Sequence, residues 1–164
     1  MLRGLAAGQE TAYAQLYDRY AARLYRTAVG LLGRPEDAED CVQDVFTSLV
    51  RSRTQLTQVS DLAAYLFAAL RRQAGRHAAV GRRQPGSLTG DCPGPLQVPD
   101  DPRREALVRA MMTLSIEHRE VIALKINGEL TFAEIGRLLT ISPHTAASRY
   151  RYALERLRER LNRC

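Results

Sequence analysis

The side chains best suited to chemistry lie near the carboxyl end, where hydroxyl, imidazole and guanidinium groups share one segment. Ser142-Pro143 predicts a helix start, because serine caps helix N-termini and proline is favoured at the first helical position. The outward positions of that helix carry His144, Thr145, Ser148, Arg149 and Arg151. Small and hydroxyl side chains beside arginines suit hydrogen bonding to base edges and phosphates in a DNA major groove. The segment therefore indicates DNA binding.

A shorter helix is predicted just before Ser142, so the two helices form a helix-turn-helix. Thr131 followed three residues later by Glu134 is a capping box, which marks a helix start. Apolar residues then recur at helical spacing: Phe132, Ile135, Leu138 and Leu139. Two amphipathic helices joined by a tight turn also occur in ordinary bundles, so their spacing alone leaves a role without DNA open. The arginine density and basic balance of the chain favour DNA.

The charge balance of the whole chain agrees with a nucleic-acid partner. Its formal net charge is +6 and its pI is about 9.6, which is an expected footprint of nucleic-acid binding. There is no run of about 18 apolar residues, so no transmembrane helix is expected. Residues 1–10 lack a sustained apolar stretch, so no signal peptide is expected either. These observations predict a cytoplasmic protein without membrane insertion.

A second arginine cluster ends the helix predicted after its N-cap Ser60. This helix, DLAAYLFAALRRQAGRHAAV, begins apolar and ends strongly basic. The arginines at and beyond its end are Arg71, Arg72, Arg76, Arg82 and Arg83. They have no acidic neighbour between them, which favours contact with DNA phosphates. The alternative is that they only hydrate a helix end and interact favourably with its dipole.

An acidic surface is predicted on the helix that opens at Pro35, PEDAEDCVQDVFTSLVRS. Its outer face carries Asp37, Asp40 and Asp44, together with Gln43 and Thr47. With no histidine at ligand spacing, a metal or acid–base cluster is not indicated. The face is either solvated or binds a basic partner.

Nothing in the sequence predicts a catalytic, metal or cofactor site. There is no nucleophile-and-base pattern, no glycine-rich phosphate loop and no GxSxG. The cysteines Cys41, Cys92 and Cys164 are odd in number without CxxC spacing, which argues against a disulfide framework and a zinc site. Cys41 falls on an apolar stripe and is predicted to be a core residue. The three histidines match no metal-ligand spacing. We therefore expect a protein that is not an enzyme.

The fold predicted is all-α, with two small helical modules joined by a Pro/Gly-rich linker. Helical periodicity runs through residues 9–32, with a stop at Gly33. Residues 84–102 hold five of the seven prolines and read as an extended linker. Helices resume near Arg103, and a further helix is predicted from Ser115 to Asn127-Gly128. The predicted division is an amino-terminal module, 1–83, a linker, 84–102, and a carboxy-terminal module, 103–164.

Taken together, these blocks resemble a bacterial extracytoplasmic-function (ECF) sigma factor over roughly residues 8–162. LYDRYAARLYRTAVGLLGRPEDAEDCVQDVFTSLVR is similar to the first block of the amino-terminal sigma domain, and PEDAEDCVQDVF is its most specific part. LAAYLFAALRRQAGRHAAVGRRQ occupies the place of the helix that melts the promoter and reads its minus-ten element. LSIEHREVIALKINGELTFAEIGRLLTISPHTAASRYRYALERLRERL resembles the carboxy-terminal domain that reads the minus-thirty-five element.

The resemblance implies partners and sites. Sigma factors are not enzymes; they bind core RNA polymerase and direct it to promoter DNA, and they are often held by an anti-sigma protein. By this resemblance, Asp40, Gln43, Asp44 and Thr47 would dock on the polymerase clamp. The arginine cluster after Leu70 would hold the minus-ten strand, and the helix from Pro143 would face the minus-thirty-five groove.

Four positions depart from the family pattern. The family usually has tryptophan at Tyr65, asparagine at Arg72, glycine at Thr140 and lysine at Ala147. Threonine at position 140 would be strained if that position needs a positive φ. Two alternatives stay open at this stage: a helix-turn-helix regulator with a different amino-terminal partner, and a degenerate sigma-like protein that binds a partner without initiating transcription.

Overall fold

All regular elements of the described chain are helical. The computed structural model describes residues 1–81 and 101–162. Its α-helices are α1 Leu2–Ala6, α2 Glu10–Leu32, α3 Pro35–Arg51, α4 Leu62–Gly81, α5 Pro102–Met112, α6 Ile116–Ile122, α7 Phe132–Leu139 and α8 Pro143–Leu161. A 3₁₀ segment, Arg53–Gln58, joins α3 to α4, and a π-helical turn, Ala123–Asn127, continues α6. The all-α prediction is confirmed.

The first long helices begin and end where the sequence predicts, with one correction. Gly33 ends α2 with a φ of 78°, and Pro35 opens α3. Ser60 is not the cap of α4; Asp61 takes that place, because its Oδ1 accepts from the N–H of Ala64 at 3.0 Å. A carboxylate competes well with a hydroxyl for this role, so the helix starts one residue later. Helix α1 and the 3₁₀ segment were not predicted.

The helix predicted from Ser115 to Asn127 is not continuous α-helix. It changes to π geometry at Ala123, and the C-cap, Gly128, has an ordinary φ of −77°. The positive φ, 55°, falls one residue later on Glu129. A π-turn widens the backbone by one residue per turn and is found mostly where function or packing requires it. Here it faces α2.

The helix-turn-helix has the predicted local structure. The side chain of Thr131 accepts from the N–H of Glu134 at 3.2 Å, and the Glu134 carboxylate accepts from the N–H of Thr131 at 2.7 Å. Thr140 ends α7 with a φ of 58°, so the position does need the left-handed conformation. The hydroxyl of Ser142 accepts from the N–H of Thr145 at 2.9 Å and caps α8.

The two predicted modules share one apolar core. It contains the buried faces of α2, α3 and α4, including Leu24, Val45 and Phe67. It continues without a break into Leu124 of the π-turn and Ile135 of α7. A second, smaller cluster joins α5 to α8. Because apolar burial is the main driving force for packing, this shared core holds the modules together in what we call the closed arrangement.

Several predictions fall outside the described residues. These are Arg82, Arg83, Cys92, Cys164 and most of the predicted linker, residues 84–100. Cys41 is fully buried, as expected for a core residue. Over the described ranges, no helix has the length and apolar character needed to cross a membrane.

Candidate nucleic-acid and protein interfaces

Helix α8 packs against α7 across a tight turn. Ala146 and Ala153 are fully buried on its inner side, and Tyr150 packs edge-on against Phe132 with ring centroids 5.6 Å apart. Gly136 lies beneath the turn, where a Cβ atom would come within 2.8 Å of the carbonyl oxygen of Ile141. This close backbone approach lets α7 and α8 pack tightly on either side of the turn.

The five predicted recognition residues are on the outer side of α8, but they are not equally free. His144 and Arg151 are exposed, whereas Thr145, Ser148 and Arg149 are half-buried. The hydroxyl of Thr145 lies 2.8 Å from that of the cap Ser142, which reserves part of its hydrogen-bonding capacity. His144 and Arg151 are therefore the most accessible of the five.

The basic face of α4 is also present, but one of its arginines is already paired. Arg71, Arg72 and Arg76 are exposed. The Nε of Arg71 donates to Glu120 Oε1 on α6 at 2.7 Å, and its Nη2 lies 3.5 Å from Oε2. Sequence reasoning missed this pair, because Glu120 is 49 residues away and no local pattern links the two.

The acidic face of α3 lies open to solvent. Asp40, Gln43, Asp44 and Thr47 are all exposed along one side of the helix, and we call them the docking face. His77 of α4 lies with its Nε2 3.0 Å from Oδ2 of Asp44. The docking face therefore borders the basic helix α4.

Hydrogen bonds and an ion pair join α2 to the π-turn and the two residues after it. The Nη2 of Arg23 donates to the carbonyl of Gly128, and its Nε lies 3.6 Å from the carboxylate of Glu129. The amide of Asn127 donates to the carbonyl of Arg26 at 3.2 Å. These bonds join residues about 100 positions apart, so sequence spacing offers no signal for them.

An apolar groove of about 300 Å³ opens where the two modules meet. Its floor is formed by side chains from α2, α5, the π-turn and α8, among them Val29, Leu107, Met111, Ile126 and Leu154. Leu107 and Ile126 are 44% and 50% exposed. Three arginines line its edge: Arg26, Arg104 and Arg158. None of them forms an ion pair with another described residue.

Two groups with shifted pKa values have structural roles: Glu134 caps a helix and Cys41 lies in the core. Hydrogen bonds from the side chain and then the backbone of Thr131 lower the pKa of Glu134. Burial, and then the negative charge of Asp44, raise the pKa of the Cys41 thiol to about 12. A buried, protonated thiol is a poor nucleophile. Within residues 1–81 and 101–162, no three histidine, cysteine or carboxylate side chains come together as a metal site would require.

Two family models match the chain. The model for Sigma-70 region 2 matches residues 16–84, and that for Sigma-70, region 4 matches residues 110–159. Among curated relatives, the ECF RNA polymerase sigma factor SigL of Mycobacterium tuberculosis is 34% identical over 166 residues, covering 94% of this chain and 92% of the relative. The ECF RNA polymerase sigma factor SigK of Mycobacterium ulcerans is 30% identical over 176 residues, covering 99% and 92%.

Solved structures share the fold at lower identity. CnrH, in complex with the cytosolic domain of CnrY, matches with a TM-score of 0.71 at 21% identity, over 98% of this chain and 94% of that one. The sigma factor RpoE, in complex with the anti-sigma factor NepR from Bartonella quintana, matches with a TM-score of 0.67 at 23% identity, over 92% and 97%.

Proposed function

The chain belongs to the extracytoplasmic-function class of the sigma-70 family, and from this membership we propose which of its surfaces carry out each step of transcription initiation. As a sigma factor, it binds core RNA polymerase and directs it to promoters. We propose that it does so in the cytoplasm, without catalysing a reaction of its own. The observation that best supports this role is that one chain presents both an exposed acidic docking face on α3 and a capped helix-turn-helix.

The docking face is proposed to bind the polymerase. Asp40 and Asp44 are exposed one helical turn apart, with Gln43 and Thr47 beside them. A basic partner surface would gain electrostatic steering and orientation from this face, more than raw affinity. Because Asp44 also contacts His77 of α4, polymerase bound here would sit directly beside the proposed minus-ten helix.

The basic side of α4 is proposed to contact the minus-ten strand. Arg72 and Arg76 are exposed and have no ion-pair partner among the described residues, so both are free to bind phosphates. Arg71 is committed to Glu120 in the closed arrangement. The Tyr65 hydroxyl lies 3.0 Å from that of Ser52, which fixes the aromatic ring at the start of this surface. Arg82 and Arg83 remain sequence-based candidates for the same strand.

The outer side of α8 is proposed to read the minus-thirty-five element. His144 and Arg151 would reach base edges or flanking phosphates, with Thr145, Ser148 and Arg149 at the margin of the contact. We also propose the division into an amino-terminal module, 1–83, a linker, 84–102, and a carboxy-terminal module, 103–164. With these boundaries each module carries one of the two promoter contacts.

The groove between the modules is proposed as the site of an anti-sigma protein. An apolar floor edged by Arg26, Arg104 and Arg158 is complementary to an amphipathic helix with acidic flanks. CnrH was solved with the cytosolic domain of CnrY, and RpoE with the anti-sigma factor NepR. Such a helix would contact both modules of this chain at once.

The test is transcription in vitro with core polymerase on fragmented DNA from the source genome. Initiation at defined start sites that depends on the chain is expected. Asp40→Arg with Asp44→Arg should abolish polymerase binding, because it reverses the charge of the docking face. The matched control, Glu10→Arg with Asp18→Arg, changes the net charge equally on an exposed part of α2 and should bind as the wild type does.

Two kinds of result would change the proposed function or its docking face. Polymerase binding retained by the Asp40/Asp44 variant would remove the docking face from the proposal. A wild-type chain that binds polymerase but starts no transcription would favour a degenerate sigma factor, and one that binds only DNA would favour a helix-turn-helix regulator.

A further inference from the structure

We infer that a polar recess between α8 and the loop from α5 to α6 binds a nucleoside diphosphate or triphosphate. The inference concerns a surface of the carboxy-terminal module alone and does not depend on the promoter contacts proposed above. The recess has a volume of about 400 Å³, which lies within the range of small-molecule sites. Its lining includes two hydroxyls, two aromatic rings and two guanidiniums, from Thr113, Ser115, His118, Tyr152, Arg156 and Arg160.

One wall of the recess is a row of side chains along α8. Tyr152, Arg156 and Arg160 follow one another at four-residue spacing, so they lie on one side of the helix. Both arginines are exposed, and they stand one helical turn apart. Arginine binds phosphate through paired N–H groups. Two arginines at this spacing therefore suit a ligand with two or more linked phosphates.

Arg160 is the cation that stays free in this row. It forms no ion pair with another described residue. The Nη1 of Arg156 lies 3.1 Å from Oε2 of Glu159, and its Nε donates to the Tyr152 hydroxyl at 3.1 Å. Glu159 also lines the recess, so its carboxylate competes with an anionic ligand for Arg156. Two arginines against one glutamate still favour an anion.

The opposite wall is formed by the short loop between α5 and α6 and by the first turn of α6. The Oγ of Ser115 lies 2.7 Å from Nδ1 of His118, and the imidazole packs against the Tyr152 ring with centroids 4.7 Å apart. Tyr152 is still 45% exposed, so part of its ring is available to a planar base. Because bases stack on aromatic side chains, this surface favours a nucleotide over inorganic phosphate.

The shape of this surface favours a small ligand over the DNA backbone. A duplex contacts side chains that project outward from a helix. Here the guanidinium of Arg156 is folded over the Tyr152 ring, with its Cζ 5.4 Å from the ring centroid. A small ligand enters such a recess and meets the arginines, the hydroxyls and the ring at once.

The test uses the three histidines of the chain as reporters of three surfaces. His118 lies in the recess, His144 on the outer side of α8, and His77 beside the docking face. Imidazole NMR signals of the full chain, assigned with His77→Gln, His118→Gln and His144→Gln variants, would be followed during titration with ADP and with GDP. We expect at least one nucleotide to shift the His118 signal saturably and to leave the other two in place. Pyrophosphate should shift the same signal with lower affinity.

Two substitutions on α8 should change nucleotide affinity in opposite directions. Arg160→Gln should weaken binding about tenfold, the effect of losing one charged hydrogen bond. Glu159→Gln removes the competing carboxylate and should strengthen binding severalfold. Arg109→Gln is the matched control, because it removes the same charge from an exposed position on α5 of the same module, and it should bind as the wild type does. Thermal unfolding of each variant checks that it is folded.

Several results would overturn the inference. One is a His118 signal that neither nucleotide shifts at millimolar concentration, and another is a shift confined to His144 or His77, the residues beside the proposed DNA contacts. Equal affinity of the Arg160→Gln and Arg109→Gln proteins would remove the arginine row from the site. Pyrophosphate binding as tightly as both nucleotides would exclude recognition of the base. A DNA duplex should shift His144, and an effect on His118 stronger than that of either nucleotide would assign the recess to DNA.

Discussion

Phe67 of α4 packs directly against the backbone of Gly128, the residue that follows the π-turn. A Cβ atom at position 128 would lie 3.2 Å from Cε1 of Phe67 and 2.6 Å from the carbonyl oxygen of Leu124. The φ of Gly128 is −77°, which any residue can adopt. Space rather than backbone conformation therefore requires glycine here. The contact joins the largest fully buried side chain of the amino-terminal module to the carboxy-terminal one.

Gly128→Ala should lower the free energy of unfolding by about 1–3 kcal/mol, the usual cost of overpacking a core. Gly75→Ala is the control, because Gly75 is helical and a Cβ there meets nothing within 4 Å. That control should stabilise the chain by about 0.5–1 kcal/mol. Urea unfolding of both variants decides the point. A Gly128→Ala protein as stable as the wild type would contradict the close contacts of position 128 with both Leu124 and Phe67.

Thr140→Gly should stabilise the chain by about 1 kcal/mol. Thr140 has a φ of 58° at the end of α7, and a β-branched residue is strained in the left-handed region whereas glycine is not. Thr113, which ends α5 with a φ of −81°, provides the contrast: Thr113→Gly should destabilise the chain. Thermal unfolding measures both, and a loss of stability in Thr140→Gly would contradict the assigned conformation.

Glu134→Ala should lower the free energy of unfolding by about 1 kcal/mol at neutral pH, because it removes half of the capping box. The hydrogen bonds from Thr131 lower the pKa of Glu134 below its ordinary value of 4.5. A carboxylate with a lowered pKa in the folded state stabilises the fold above its unfolded pKa and loses that effect as the pH falls through the folded one. The difference between wild type and variant should therefore shrink below about pH 4. Urea titrations at several pH values would show it, and a difference independent of pH would exclude the charged cap.

Arg151→Ala should weaken binding to the upstream element of a mapped promoter. Because one phosphate contact is lost, the slope of log affinity against log salt concentration should fall by about 1. Arg149→Ala should also weaken the binding, but by less, since Arg149 is half-buried. Arg109→Ala removes the same charge from an exposed position on α5 and should leave the affinity unchanged. Fluorescence anisotropy across a salt series separates these cases. An Arg151→Ala protein with wild-type affinity and salt slope would remove Arg151 from the contact.

Local signals in the sequence were sufficient for most of the helices. Thr131 with Glu134, Ser142 with Pro143, and Gly33 before Pro35 each predict a helix boundary that the structure confirms. Each signal depends on groups within four residues of one another, and such contacts form wherever the chain adopts a helix. Ser60 failed as a cap because the neighbouring Asp61 takes that role and accepts from the N–H of Ala64. Spacing alone does not rank two adjacent capping residues.

The sequence by itself determined the helical class, the family and the outward faces of α3, α4 and α8, because amphipathic periodicity assigns each residue to an inner or outer face. Only the tertiary structure decided which outer faces meet. Arg71 with Glu120, Gly30 with Ala123 and Phe67 with Gly128 pair residues from different modules. These contacts arise from the complementary shape and charge of two already folded surfaces. Such complementarity has no period along the chain, so neither the shared core nor the π-turn that fits α2 could be predicted from spacing.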